Sequence, residues 1–186
     1  MGLSPAPFNR LVRGKLEVSL LSVYKAPSQE EEPAQTMTTT VLVLNGPNLN
    51  LLGTREPEIY GSDTLETIEA ACQKRAKGLG LAVEFRQSND EGEMVDWVQE
   101  AGGSFQALIV NAGAYTHTSV ALLDALLAIE IPVIEVHLSN IHQRDEFRQQ
   151  SYVSKAADGM ICGLGGAGYE LALQALAKRL GTVKEA

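Results

Sequence analysis

Five short, largely apolar runs punctuate this chain: Val41 to Leu44, Leu81 to Arg86, Ala107 to Val110, Pro132 to Val136 and Gly159 to Cys162. Unbroken apolar runs rich in β-branched residues are what strands covered on both faces of a parallel sheet require. Between or after them the period changes. Leu65, Ile68, Ala71, Cys72 and Arg75 recur at helical spacing, as do Met94, Val95, Trp97 and Val98, and the stretches Val120 to Ile129 and Tyr169 to Leu180 follow the same rule. Helix starts are marked by Asp63 or Thr64, by Asp90, and by Thr118 or Ser119, whose short polar side chains suit an N-cap. Alternating strands and helices of these lengths predict an α/β fold: a flavodoxin-like, five-stranded parallel sheet of order 2-1-3-4-5 with helices on both faces. No internal repeat is visible.

The polar positions gain meaning on that frame. The order 2-1-3-4-5 sets strand one beside strand three at the switch point, with strand four next, so three loops open into one crevice at the carboxyl ends of the strands. Strand one delivers Asn45, Asn48, Arg55 and Tyr60; strand three delivers Asn111 and His117; strand four delivers Glu135, His137, Ser139 and Asn140, with Arg144 and Arg148 close behind. A single loop asparagine usually caps a turn, and a single histidine is usually a satisfied core residue. Three such clusters converging on one crevice argue instead for a site. Within the first loop, Gly46 and Pro47 stop the strand, the asparagines offer both donors and acceptors, and Arg55 is an obligate cation five residues from the Tyr60 phenol, whose proton leaves more readily beside positive charge.

Composition narrows the choice of chemistry. The 186 residues are a one-domain length, and 45% apolar with 20% charged residues is ordinary for a globular enzyme or binding module. A net charge of -8 without basic clusters argues against nucleic acid, and the 5% aromatic content is too low for a base-stacking platform. No apolar stretch reaches the ~18–20 residues of a membrane span. Cys72 and Cys162 are too few for a disulfide framework, and read as small core residues of a protein from a reducing compartment, the cytoplasm. His117, His137 and His142 lack the spacing of a metal site, so no metal and no cofactor are expected. Gly163, Gly165, Gly166 and Gly168 match a dinucleotide fingerprint in form, but only one terminal helix follows where a further strand with its acidic residue is needed; a tight turn with close helix packing is the better reading. Residues 1–36 differ from the rest, with four prolines and a Glu30-Glu31-Glu32 run. They read as an appendage, either an extension or the product of an upstream start, with 37–186 as the single domain; their basic early half leaves a targeting segment as the alternative.

NGPNLNLLGTREPEIYG, FRQSNDEGEMVDW, IVNAGAYTHTSVALLDAL, PVIEVHLSNIHQRDEFRQQSY and GLGGAGY, taken together over residues 39 to 182, resemble type II 3-dehydroquinate dehydratase. The resemblance implies reversible loss of water from 3-dehydroquinate to give 3-dehydroshikimate through an enolate, in the shikimate pathway or in quinate breakdown, without metal or cofactor. It assigns Tyr60 as the base, tuned by Arg55; Asn48 as the stabiliser of the enolate through an ordered water; and His137 as the general acid, oriented and charged by Glu135. That division suits the reaction, which needs a base for a weakly acidic proton, a holder for the oxyanion and an acid for the leaving hydroxyl. It also assigns Asn111, His117, Leu138, Ser139 and Arg148 to substrate binding. Asp124 is implied to reach across a subunit contact, in trimers that associate as a dodecamer. Thr54 and Ala114 depart from the family pattern at positions without a catalytic role.

Two rival classes are weaker. A type I dehydratase would form a Schiff base on a (β/α)8 barrel, but this chain is too short for that barrel and no lysine stands in the three loops. A binding module using NGPN as an anion loop explains the fold but gives Tyr60, Arg55 and His137 no role.

Overall fold

β1 (Thr40–Asn45), β2 (Ala82–Gln87), β3 (Ala107–Asn111), β4 (Val133–His137) and β5 (Gly159–Cys162) pair in parallel as one sheet, in the order β2-β1-β3-β4-β5, in a computed structural model that describes residues 38–53 and 63–183. The expected order is the observed one. The boundaries differ in an informative way: β1, β3 and β4 each run one residue past the apolar pattern and end on Asn45, Asn111 and His137. Side-chain polarity changed there, but the backbone ladder did not stop. Asn45 is the register partner of Asn111, and the Gly46 N–H still donates to the Asn111 carbonyl at 2.8 Å.

Alternation along the strands divides the core into two layers. Val41, Val43, Ala107, Ile109, Ile134 and Val136 face one side, packed by Ile68, Cys72 and Ala76 of α1 (Leu65–Gly78) and by Tyr169, Ala172, Leu173 and Leu176 of α4 (Ala167–Arg179). Leu42, Leu44, Leu108, Val110 and Val133 face the other side. There they meet Met94 and Val98 of α2 (Glu91–Ser104) and Leu122, Ala125 and Leu126 of α3 (Val120–Leu127). Of the alternative caps, Thr64 and Ser119 are the ones used. The Thr64 and Thr67 hydroxyls each accept from the other residue's backbone N–H, Asp90 accepts from Glu93 N–H at 2.9 Å, and Ser119 accepts from Leu122 N–H at 2.8 Å. Cys72 is fully buried, and burial pushes its thiol up to about 12; Cys162, also expected in the core, is only half-buried at the end of β5.

The glycine-rich stretch that leads into the first turn of α4 allows close packing there, the reading its sequence context favoured. A Cβ at Gly168 would lie 3.3 Å from Val136 Cγ1, so its absence lets α4 settle against β4. Gly46 matters more for the crevice: a Cβ there would stand 2.3 Å from the Ala112 carbonyl oxygen, a backbone atom that cannot swing away. Gly46→Ala is therefore expected to force the first and third loops apart, lowering stability by about 1–3 kcal/mol and substrate affinity with it; chemical denaturation alongside a KM measurement checks both.

Candidate active site

The crevice at the carboxyl ends of β1, β3 and β4 is lined from all three loops. Pro47, Asn48, Leu49 and Leu52 come from the first; Asn111, Gly113, Ala114 and His117 from the second; His137, Leu138, Ser139, Ile141, Arg144 and Arg148 from the third. The cavity holds about 150 Å³, room for a small molecule rather than a few waters. Seven expected site residues thus share one wall system: Asn48, Asn111, His117, His137, Leu138, Ser139 and Arg148. Arg55 and Tyr60 lie outside the described residues.

Glu135 and His137 are two apart on β4, so both side chains leave the same face of the strand. His137 Nε2 meets Glu135 Oε1 at 2.7 Å. A carboxylate only accepts, so Nε2 bears the hydrogen and the other ring nitrogen is left for the crevice. Glu135 is completely buried and His137 5% exposed. A buried anion persists only where donors compensate its lost water, and two hydroxyls that the sequence reading did not single out supply them. Thr116 Oγ1 donates to Glu135 Oε1 at 3.2 Å and Ser151 Oγ donates to the same oxygen at 2.7 Å, while Oε2 has no partner among the described residues. Thr116 stands beside His117 in YTHT and Ser151 three residues after Arg148 in RQQSY, so their signal was a hydroxyl side chain in a loop next to expected site residues.

The segment bearing Ser151 is fastened to the loop after β3. Tyr152 N–H donates to the Thr116 carbonyl at 2.8 Å, and His117 Nδ1 contacts the Gln150 carbonyl at 2.7 Å. That carbonyl fixes the tautomer: Nδ1 must be the donor, which makes Nε2 the acceptor of a neutral ring. Burial holds His117 below the usual histidine range, and the charges of His137, Arg148 and Arg144 push the same way, against the hydrogen bond to Gln150. A depressed histidine favours the folded state above its ordinary value of 6.5 and surrenders that preference as pH falls below it.

Asn48 adopts φ 67°, ψ 0°, the left-handed region that asparagine tolerates better than most residues, and its N–H donates to Asn89 Oδ1 at 2.9 Å. The turn is thereby held from outside the crevice, leaving the Asn48 amide for what binds within it. Arg144 and Arg148 give the opening two guanidinium groups, an anion-receptive mouth on a chain of net charge -8. Two residues of the polar clusters do other work. Asn140 caps a single turn, accepting from His142 N–H at 3.1 Å, and Asn45 turns away from the crevice to Tyr169. Asp124 stands exposed on α3 and does not line the crevice, so within one chain the apolar context of VALLDALLAI imposes no burial of this carboxylate. Among the described residues no group of three or more His, Cys, Asp or Glu is placed to hold a metal, and no helix is long and apolar enough to cross a membrane.

Residues 39–177 match the family described as dehydroquinase class II. The chain belongs to that family. It is 59% identical to the 3-dehydroquinate dehydratase 2 of Pseudomonas aeruginosa over 143 residues, which span 77% of this chain and 97% of that one. The 3-dehydroquinate dehydratase of a Chelativorans strain is 61% identical over 145 residues, 77% of this chain and all of the relative. Among solved structures, type II dehydroquinase from Propionibacterium acnes superimposes with a TM-score of 0.74 at 46% identity, covering 76% of this chain and 98% of its own. The family match ends within α4 and begins just before β1, so it takes in all three crevice loops.

Proposed function

We propose that this dehydroquinase dehydrates 3-dehydroquinate to 3-dehydroshikimate, reversibly, in the crevice between the first, third and fourth strand loops. The observation that supports this reading best is the buried Glu135–His137 pair, 2.7 Å apart, opening into a cavity that also holds Asn48, Asn111 and two arginines. The reaction is a hydro-lyase step of the shikimate pathway or of quinate catabolism. Tyr60, with Arg55 beside it, takes the proton from the carbon next to the ketone; the electron pair moves to the ketone oxygen, where Asn48 and an ordered water hold the charge. As the pair returns, a carbon–carbon double bond forms and the β-hydroxyl breaks away, accepting a proton from His137 and departing as water. Glu135 keeps the His137 ring oriented and favours the imidazolium it must supply. Asn111, His117, Leu138, Ser139 and Arg148 hold the substrate's hydroxyls and carboxylate. Asp124 faces a neighbouring subunit in a trimer-based assembly, four trimers making a dodecamer, in the cytoplasm; residues 37–186 form the working domain and 1–36 an appendage.

The direct test is absorbance of the conjugated enone formed from 3-dehydroquinate, and its absence would overturn the reading. A borohydride trap with substrate is expected to add no covalent mass, since no lysine stands in the three loops. Turnover is further expected to survive EDTA, because amides and water hold the enolate; loss in EDTA with recovery on adding a divalent ion would overturn that assignment.

A further inference from the structure

Beneath the crevice lies a buried chain of hydrogen bonds that joins four elements, β2, β1, α4 and β3. Asn45 ends β1 and Asn111 ends β3; they are register partners whose side chains leave the same sheet face, toward α4. Tyr169, completely buried in the first turn of α4, sets its hydroxyl between them. Tyr169 O–H lies 2.7 Å from Asn45 Oδ1, Asn111 Nδ2 lies 2.7 Å from the Tyr169 oxygen, and Asn45 Nδ2 lies 3.1 Å from the Arg86 carbonyl. Asn45 is 0% exposed and Asn111 3%, so water does not compete for these groups.

The chain has only one self-consistent polarity. The Arg86 carbonyl accepts and cannot donate, so the Asn45 NH2 must face it. The Asn45 carbonyl then faces Tyr169 and takes the phenol's single proton. Burial pushes the Tyr169 phenol well above its usual range, so that proton stays in place. The phenol oxygen is left as an acceptor, and only the NH2 end of Asn111 satisfies it. With Nδ2 fixed toward Tyr169, Asn111 Oδ1 falls toward the following turn, where Gly113 N–H reaches it at 3.3 Å. An Asn111 amide turned over would put its carbonyl against a phenol oxygen whose proton is already committed, leaving two buried acceptors opposed.

We infer that Tyr169 is a positioning residue for substrate binding: it sets which end of the Asn111 amide faces the crevice, and so which donor and acceptor the substrate meets there. The inference rests on the reading that Asn111 contacts the bound substrate. It assigns a function to the tyrosine of GLGGAGY that close packing alone does not explain, because packing would be served equally by phenylalanine.

The experiment is a double-mutant cycle on KM and kcat, using Tyr169→Phe, Asn111→Ala and the double variant, beside the parent chain and at a temperature where melts show each to be folded. Tyr169→Phe leaves the sense of the Asn111 amide to the longer 3.3 Å hydrogen bond from Gly113 N–H alone, and KM is expected to rise on the order of tenfold with kcat nearly unchanged. In the Asn111→Ala background the same change is expected to have no further effect on KM. A Tyr169→Phe enzyme with parental KM, beside an Asn111→Ala enzyme with raised KM, would overturn the positioning role while leaving Asn111 in the site. A Tyr169→Phe effect that persists without Asn111 would overturn it too, since the tyrosine would then act by another route. Parental KM in Asn111→Ala would remove Asn111 from substrate binding, and the positioning role with it. Should Tyr169→Phe not fold, Asn45→Ala cuts the chain at its other end, freeing the phenol proton to turn toward Asn111, and is held to the same outcomes.

Discussion

Tyr60→Phe is expected to abolish turnover at every pH while substrate binds with near-native affinity, and Arg55→Ala to be slow near neutrality yet to recover in part on the alkaline side. The difference follows from what each substitution removes. Phenylalanine keeps the ring but has no group to receive a proton, so no pH restores the base. Alanine at 55 keeps the phenol and removes the cation that the family resemblance places beside it; an ordinary phenol has a pKa of about 10, so the active phenolate becomes scarce at neutral pH and returns as pH rises. Each unit of upward drift costs about 1.36 kcal/mol of base availability at fixed pH. The measurement is the pH profile of kcat for both variants beside the parent chain, with substrate or product binding measured separately. Parent-like kcat in Tyr60→Phe would remove Tyr60 from the mechanism. An Arg55→Ala profile lowered by one factor at all pH would reassign Arg55 from tuning the base to holding substrate.

The second large effect is expected at Glu135, and there the substituent decides whether chemistry or folding suffers. In Glu135→Gln the amide oxygen takes the place of Oε1 and still accepts from Ser151, Thr116 and His137, while the NH2 occupies the position of the unpartnered Oε2. The hydrogen-bond frame survives and Tm is expected to move by only a few degrees. What disappears is the negative charge that favours an imidazolium at His137, and kcat is expected to fall ~10² to 10⁴-fold with KM little changed. Glu135→Leu removes the acceptor altogether. Three donors that converge on one fully buried oxygen then lose their partner, and stability is expected to drop by about 3–5 kcal/mol. Thermal melts and single-turnover kinetics on the two variants separate these effects. A Glu135→Gln enzyme with parental kcat would show that the carboxylate serves folding alone.

Sequence by itself determined the frame and the chemical inventory. Apolar runs interrupted by helical spacing allow only alternating strands and helices, and short parallel crossovers of one hand leave few sheet orders; the order found is the one so expected. The same order brings three loops to one crevice, which is why Asn48, Asn111, His117, His137, Ser139 and Arg148 were legible from residue types and loop positions before any contact was known. Pairing partners were not legible. That Ser151 and Thr116 support the Glu135 carboxylate, from positions 16 and 19 residues away in the chain, depends on how the segment before β5 folds back over the loop after β3. Asn45 looked like a site residue because it ends a strand beside Asn48, yet it does not line the crevice: Tyr169, 124 residues on, donates to its carbonyl, whereas Asn111, of the same strand parity, reaches both Tyr169 and the crevice. Asp124 interrupts an apolar helix, and only the packing of α3 decides that its carboxylate is exposed in the single chain. Periodicity reports which face a side chain occupies, because that is a local property of the backbone. Which donor meets which acceptor is set by the close packing of elements far apart in sequence, and only the tertiary structure decided it.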